Sequence, residues 1–81
     1  MIFRERTEVV SSEKMQCNPF ELLAAYKVPV GGTIIFLFEE INGEVETGVQ
    51  LRLTDAYHFQ FAIIGREAIS GILREKHYVR N

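Results

Sequence analysis

The chain has 81 residues with nine basic and eleven acidic side chains, a formal charge of −2, which makes one domain and argues against a monomer that grips nucleic acid through a broad basic surface. A core of this size gains from company, so self-association is expected. The single cysteine, Cys17, has no internal disulfide partner, and no clustered Cys/His spacing has the form of a structural zinc site.

Residues 2–10 mix Ile2, Phe3, Val9 and Val10 with alternating charges, a pattern shared by an extra strand and a frayed arm, and 11–17 carry no decisive period. Residues 1–17 are therefore read as an N-terminal arm and 18–81 as the domain proper. Asn18-Pro19-Phe20-Glu21 combines a favoured N-cap, a proline suited to the first helical position and a glutamate at the capping-box position. It predicts a helix with an apolar stripe of Phe20, Leu22, Leu23 and Tyr26, which Pro29 ends near Lys27.

Gly31-Gly32 turns the chain into Thr33 to Phe38, a β-branched and aromatic run that reads as a strand buried on both faces. Asn42-Gly43 is a strong hairpin signal. After it Val45, Thr47, Val49, Leu51 and Leu53 alternate with polar residues, a long strand with one wet face in which Gly48 predicts a sharp bend or bulge. A turn at Asp55-Ala56 precedes a third strand in which Phe59, Phe61 and Ile63 share a face. Gly65-Arg66 turns again. Glu67 to Arg74 fits both a strand and a helical stripe of Ala68, Ile69, Ile72 and Leu73, and Gly71 in its middle favours the strand; His77 to Arg80 makes a fifth, short edge strand. The expected fold class is mainly β with one N-terminal α-helix, a five-stranded, strongly bent antiparallel sheet closed as a small barrel.

Placed in this order, the motifs resemble the Sm-like family and, within it, bacterial Hfq. Asn18-Pro19-Phe20 is similar to the helix opening of that family and Val28-Pro29-Val30 to the helix exit. Asn42-Gly43 with Gly48, and Asp55 with Tyr57, resemble the first family motif; Arg66-Glu67-Ala68-Ile69-Ser70 resembles the second. The likeness spans roughly residues 18–73. It implies an SH3-type barrel and a homo-oligomeric ring of about five to seven subunits that binds single-stranded RNA as a chaperone or regulator. On that implication Tyr57 stacks a base, Arg66 meets phosphate, Asp55 holds the loop and His58 faces the same opening. Glu67 stands where Hfq carries a histidine, which favours the alternative of a ring serving as a protein-interaction or assembly scaffold without RNA.

An enzyme is not expected: Ser70, His58 or His77, and Asp55 lack a nucleophile elbow or an oxyanion glycine motif. Asp55 and His58, three apart, would point away from each other on a strand, so no metal or other cofactor is expected either. The apolar run Ile34 to Phe38 is far shorter than the roughly 20 residues a membrane helix needs. The first residues, with Arg4, Glu5, Arg6 and Glu8, have no signal-peptide core. A cytoplasmic location follows as an expectation, with self and single-stranded RNA as partners and no membrane or small-molecule substrate.

Overall fold

The computed structural model describes residues 5–80. Its elements are β1 (Arg6–Ser11), a 3-10 turn (Ser12–Gln16), α1 (Pro19–Ala25), β2 (Thr33–Glu39), β3 (Val45–Asp55), β4 (His58–Ile64) and α2 (Arg66–Arg80). The strands form one open sheet in the order β1-β2-β3-β4. β1 runs parallel to β2 through the crossover that carries α1, and the remaining neighbours are antiparallel.

Three sequence expectations are overturned together. The five-stranded barrel is an open four-stranded sheet, and the fourth and fifth strands expected over 67–74 and 77–80 are one helix, α2. The helical stripe prevailed because Ile69, Ile72 and Leu73 meet Ile35 and Leu37 on the sheet, whereas a strand there would give up that contact. Gly71 does not oppose it: a Cβ at this position would meet nothing within 4 Å, so the glycine costs only the helix-propensity penalty of about 1 kcal/mol. Part of the N-terminal arm is also structural, since Arg6–Ser11 pairs along β2 from Arg6 opposite Ile34 to Ser11 opposite Glu39.

α1 starts as its sequence dictates. The Asn18 Oδ1 accepts a 2.8 Å bond from the Phe20 N–H, with Pro19 at the first turn. It closes on Lys27, whose φ of 55° is left-handed, and the Val28 N–H then donates to the Leu23 carbonyl at 2.9 Å. The following loop joins the end of β3: the Gly31 N–H donates to the Leu53 carbonyl and the Leu53 N–H to that of Gly32, at 2.6 and 3.2 Å.

β2 is the spine of the core. Its even residues Ile34, Phe36 and Phe38 pack with Leu22, Leu23, Val28 and Leu51 beneath α1. Its odd residues Ile35 and Leu37 face α2 through Ile69. The doubly buried strand expected here is present, with Ile34 to Phe38 all buried.

Gly48 also has a different role from the one its sequence suggests. The register shifts in β3 fall opposite Phe38/Glu39 and at Leu53/Asp55, not at Gly48. Gly48 instead lies beneath Leu37 and beside Ile64, where a Cβ would come 2.8 Å from Leu37 Cδ2 and 3.2 Å from Ile64 Cβ. The missing side chain makes room for its cross-strand neighbours Leu37 and Ile64 to close over β3 on the α2 side of the sheet. The shift near Phe38 leaves Glu46 unpaired and turns Val45 to the α2 side. The Asn42-Gly43 hairpin forms, with Gly43 at φ 84° and the Asn42 side chain accepting from the Glu44 N–H at 3.0 Å.

Candidate functional site

Three of the four expected site residues meet at the β3–β4 turn. Asp55 ends β3, and its Oδ1 accepts from the Tyr57 N–H at 2.7 Å, the side-chain-to-backbone bond that lets Asp close a turn. His58 opens β4, and its Nδ1 lies 2.9 and 3.0 Å from the two Asp55 carboxylate oxygens. An ionised carboxylate only accepts, so this nitrogen carries the proton of the contact. The Thr54 hydroxyl donates to the His58 carbonyl at 3.0 Å and closes the network. The expectation that Asp55 and His58 point apart is thus corrected: the turn between them brings together two groups that a continuous strand would separate. The Tyr57 N–H and then the His58 ring hold the Asp55 carboxyl below its usual value of 3.8. Among the described residues, no group of three or more His, Cys, Asp or Glu side chains is placed to hold a metal ion.

Tyr57 stands at the tip of the turn with 83% of its surface exposed. Arg66 is elsewhere. It starts α2 beyond the far end of β4, where its guanidinium lies 3.8 Å from Glu46. Seven strand residues separate the two, roughly 20 Å of β-structure. One chain therefore does not bring Tyr57 and Arg66 together.

β4 presents a different surface. Phe59, Phe61 and Ile63 all lie on the α1 side, paired with Leu53, Leu51 and Val49. Phe59 is half-buried against Phe20, the rings edge to face at 5.0 Å. α1 has seven residues and stops short of the rest, leaving Phe61 and Ile63 65% and 71% exposed. They form the outer wall of an apolar cleft of about 310 Å³ whose floor is Val49 and Leu51 and whose opposite wall includes Met15 and Pro19.

The edge beyond this wall is bare. Among the described residues no strand pairs with the outer side of β4, and its sequence, His-Phe-Gln-Phe-Ala-Ile-Ile, contains no Lys, Arg, Asp, Glu or Pro. Those are the residues that usually guard an edge against pairing. The other edge is guarded: Arg6 on β1 pairs with Glu8 at 3.2 Å, donates to the Tyr26 carbonyl at 2.9 Å and sits over the Tyr26 ring.

Sequence reasoning placed Phe61 and Ile63 on one face of a strand but gave neither them nor Met15 a part in a site. A signal existed in the run from His58 to Ile64, which has no Lys, Arg, Asp, Glu or Pro, but in a closed barrel such a strand has two neighbours, and the lack of guarding residues then raises no alarm.

No family model, curated protein or solved structure matches the chain. No helix among the described residues is long and apolar enough to cross a membrane.

Proposed function

We propose that this protein is an assembly module that associates with further copies of itself through β4. The observation that carries the reading is the coincidence, on one strand, of an edge that no described strand pairs with, lacking Lys, Arg, Asp and Glu, and an exposed apolar wall. An unpaired edge leaves backbone donors and acceptors ready for another strand, and burying Phe61 and Ile63 supplies the apolar gain that makes pairing favourable. The cleft beside them offers no cation to a phosphate backbone, so a protein surface suits it better than a nucleic acid.

Sedimentation equilibrium across a concentration series tests this. The parent should sediment as an oligomer and Phe61→Lys, a change at an exposed side chain that places a charge in the seam, as a monomer with unchanged circular dichroism. A parent that stays monomeric at several hundred micromolar, or an unchanged mass for the lysine variant, refutes the proposal.

A second reading, single-stranded RNA stacked on Tyr57, draws on the exposure of that ring beside His58. Its ring-shaped form leaned on a barrel that the chain does not build. Binding of short U-rich and A-rich RNA across a salt series tests it; affinity that falls with salt and is lost in Tyr57→Ala supports this reading, and no binding at low salt removes it.

A further inference from the structure

Resting on the β4 assembly reading, we infer that two copies pair β4 against β4 in antiparallel register about a two-fold axis at Phe61, each setting its Arg66 beside the turn that holds the other's Asp55 and Tyr57. An isologous interface must be complementary to itself, and the strand has that property in this register. Phe61 faces the partner's Phe61, Phe59 faces the partner's Ile63, Gln60 the partner's Ala62 and His58 the partner's Ile64. All seven residues of β4 are used. Apolar side chains oppose apolar ones on the α1 side, because Phe59, Phe61 and Ile63 all project there. The two open sheets become one continuous sheet of eight strands.

Charge selects the antiparallel sense. Arg66 and Glu67 follow one end of β4, whereas Asp55 and His58 mark the other. Antiparallel pairing sets the Arg66 cation of each copy beside the turn that carries the partner's Asp55 carboxylate, at both ends of the seam. A parallel pairing would set Asp55 beside Asp55 and Arg66 beside Arg66. Among the described residues Arg66 has only the long 3.8 Å contact to Glu46 and stays exposed, so it can turn to a partner. Tyr57 and Arg66, held apart by the length of β4 in one molecule, become neighbours across the seam.

Disulfide trapping reads the register directly. In a Cys17→Ser background, Phe61→Cys should cross-link to itself under mild oxidation, since directly opposed strand residues lie within the 4.4–6.8 Å Cα range a disulfide spans. Gln60→Cys mixed with Ala62→Cys should cross-link to each other and only weakly to themselves; both positions are exposed, so these variants keep the fold if Phe61→Cys does not. Arg66→Glu should weaken the dimer roughly three- to tenfold at low salt, an effect that shrinks at high salt as expected for exposed charge pairs. A parent dimer that cross-links at other combinations, such as Gln60→Cys with itself in preference to Ala62→Cys, overturns this register while leaving β4 association standing. A dimer indifferent to Arg66→Glu at low salt overturns the charge pairing at the seam. A monomeric parent overturns both the register and the assembly reading beneath it.

Discussion

The same substitution at two glycines should have opposite signs. At Gly48 a Cβ would come 2.8 Å from Leu37 Cδ2, 3.2 Å from Ile64 Cβ and 3.4 Å from the Phe36 carbonyl oxygen. Leu37 is fully buried, and the Ile64 contact is with an atom fixed to the backbone, so neither neighbour yields cheaply. Overpacking of this kind costs about 1–3 kcal/mol, against a gain of about 0.4–1 kcal/mol from stiffening the unfolded chain. Gly48→Ala should therefore destabilise by about 1–2 kcal/mol, lowering Tm by about 5–15 °C for a domain of this size. At Gly71 a Cβ meets open space on an exposed turn of α2, and Gly71→Ala should stabilise by about 1 kcal/mol through helix propensity alone. Urea and thermal unfolding of both variants in the Phe61→Lys background keep association out of the measurement. Adding Leu37→Val, which removes the offending Cδ2, should cost less in Gly48→Ala than in the parent, a coupling of about 1 kcal/mol. A neutral Gly48→Ala would refute the close approach of Leu37 and Ile64 over Gly48, and a destabilising Gly71→Ala would refute the helix.

The ends of α1 and the β3–β4 turn make further predictions. Asn18→Ala removes the acceptor for the Phe20 N–H and should cost about 1 kcal/mol in unfolding free energy. Lys27→Gly should gain about 0.5–1 kcal/mol in the same assay, since Lys27 holds a left-handed φ of 55° that glycine adopts without its steric cost. Asp55, whose carboxyl is held low chiefly by the Tyr57 N–H and next by His58, contributes stability that is fully present above the ordinary carboxylate value of 3.8 and is lost as pH falls through its lower folded value. The Tyr57 amide shift, followed by NMR, should titrate with that midpoint. His58→Ala should move the midpoint upward but leave it below 3.8, because the backbone bond remains; a midpoint at or above 3.8 in the parent would contradict the turn geometry.

The first half of the fold was legible because its signals are local. Asn18-Pro19 caps, Asn42-Gly43 turns and the Ile34 to Phe38 run needs two covered faces whatever covers them. What covers them was not legible. The apolar positions 68, 69, 72 and 73 fit two periods, and only the far-off odd residues of β2 decide for the helix. With that strand turned into a helix, the barrel loses the piece that would have closed it, and β4 changes from an interior strand to an edge. The site split for the same reason. Asp55, Tyr57 and His58 are linked by one turn and remained together, whereas the placing of Arg66 near them depended on closure of the sheet. Gly48 carried a real signal, that something comes close, but a close neighbour and a bend look alike in sequence.

Amide hydrogen exchange of the parent at increasing protein concentration tests the central claim most directly, because it reads the open edge residue by residue. Those β4 amides not engaged with β3 should exchange quickly in dilute solution and become protected as concentration rises, while β1 amides stay unchanged and Phe61→Lys abolishes the effect. Protection on β4 that is independent of concentration, or concentration-dependent protection confined to another element, would contradict an assembly built on this strand.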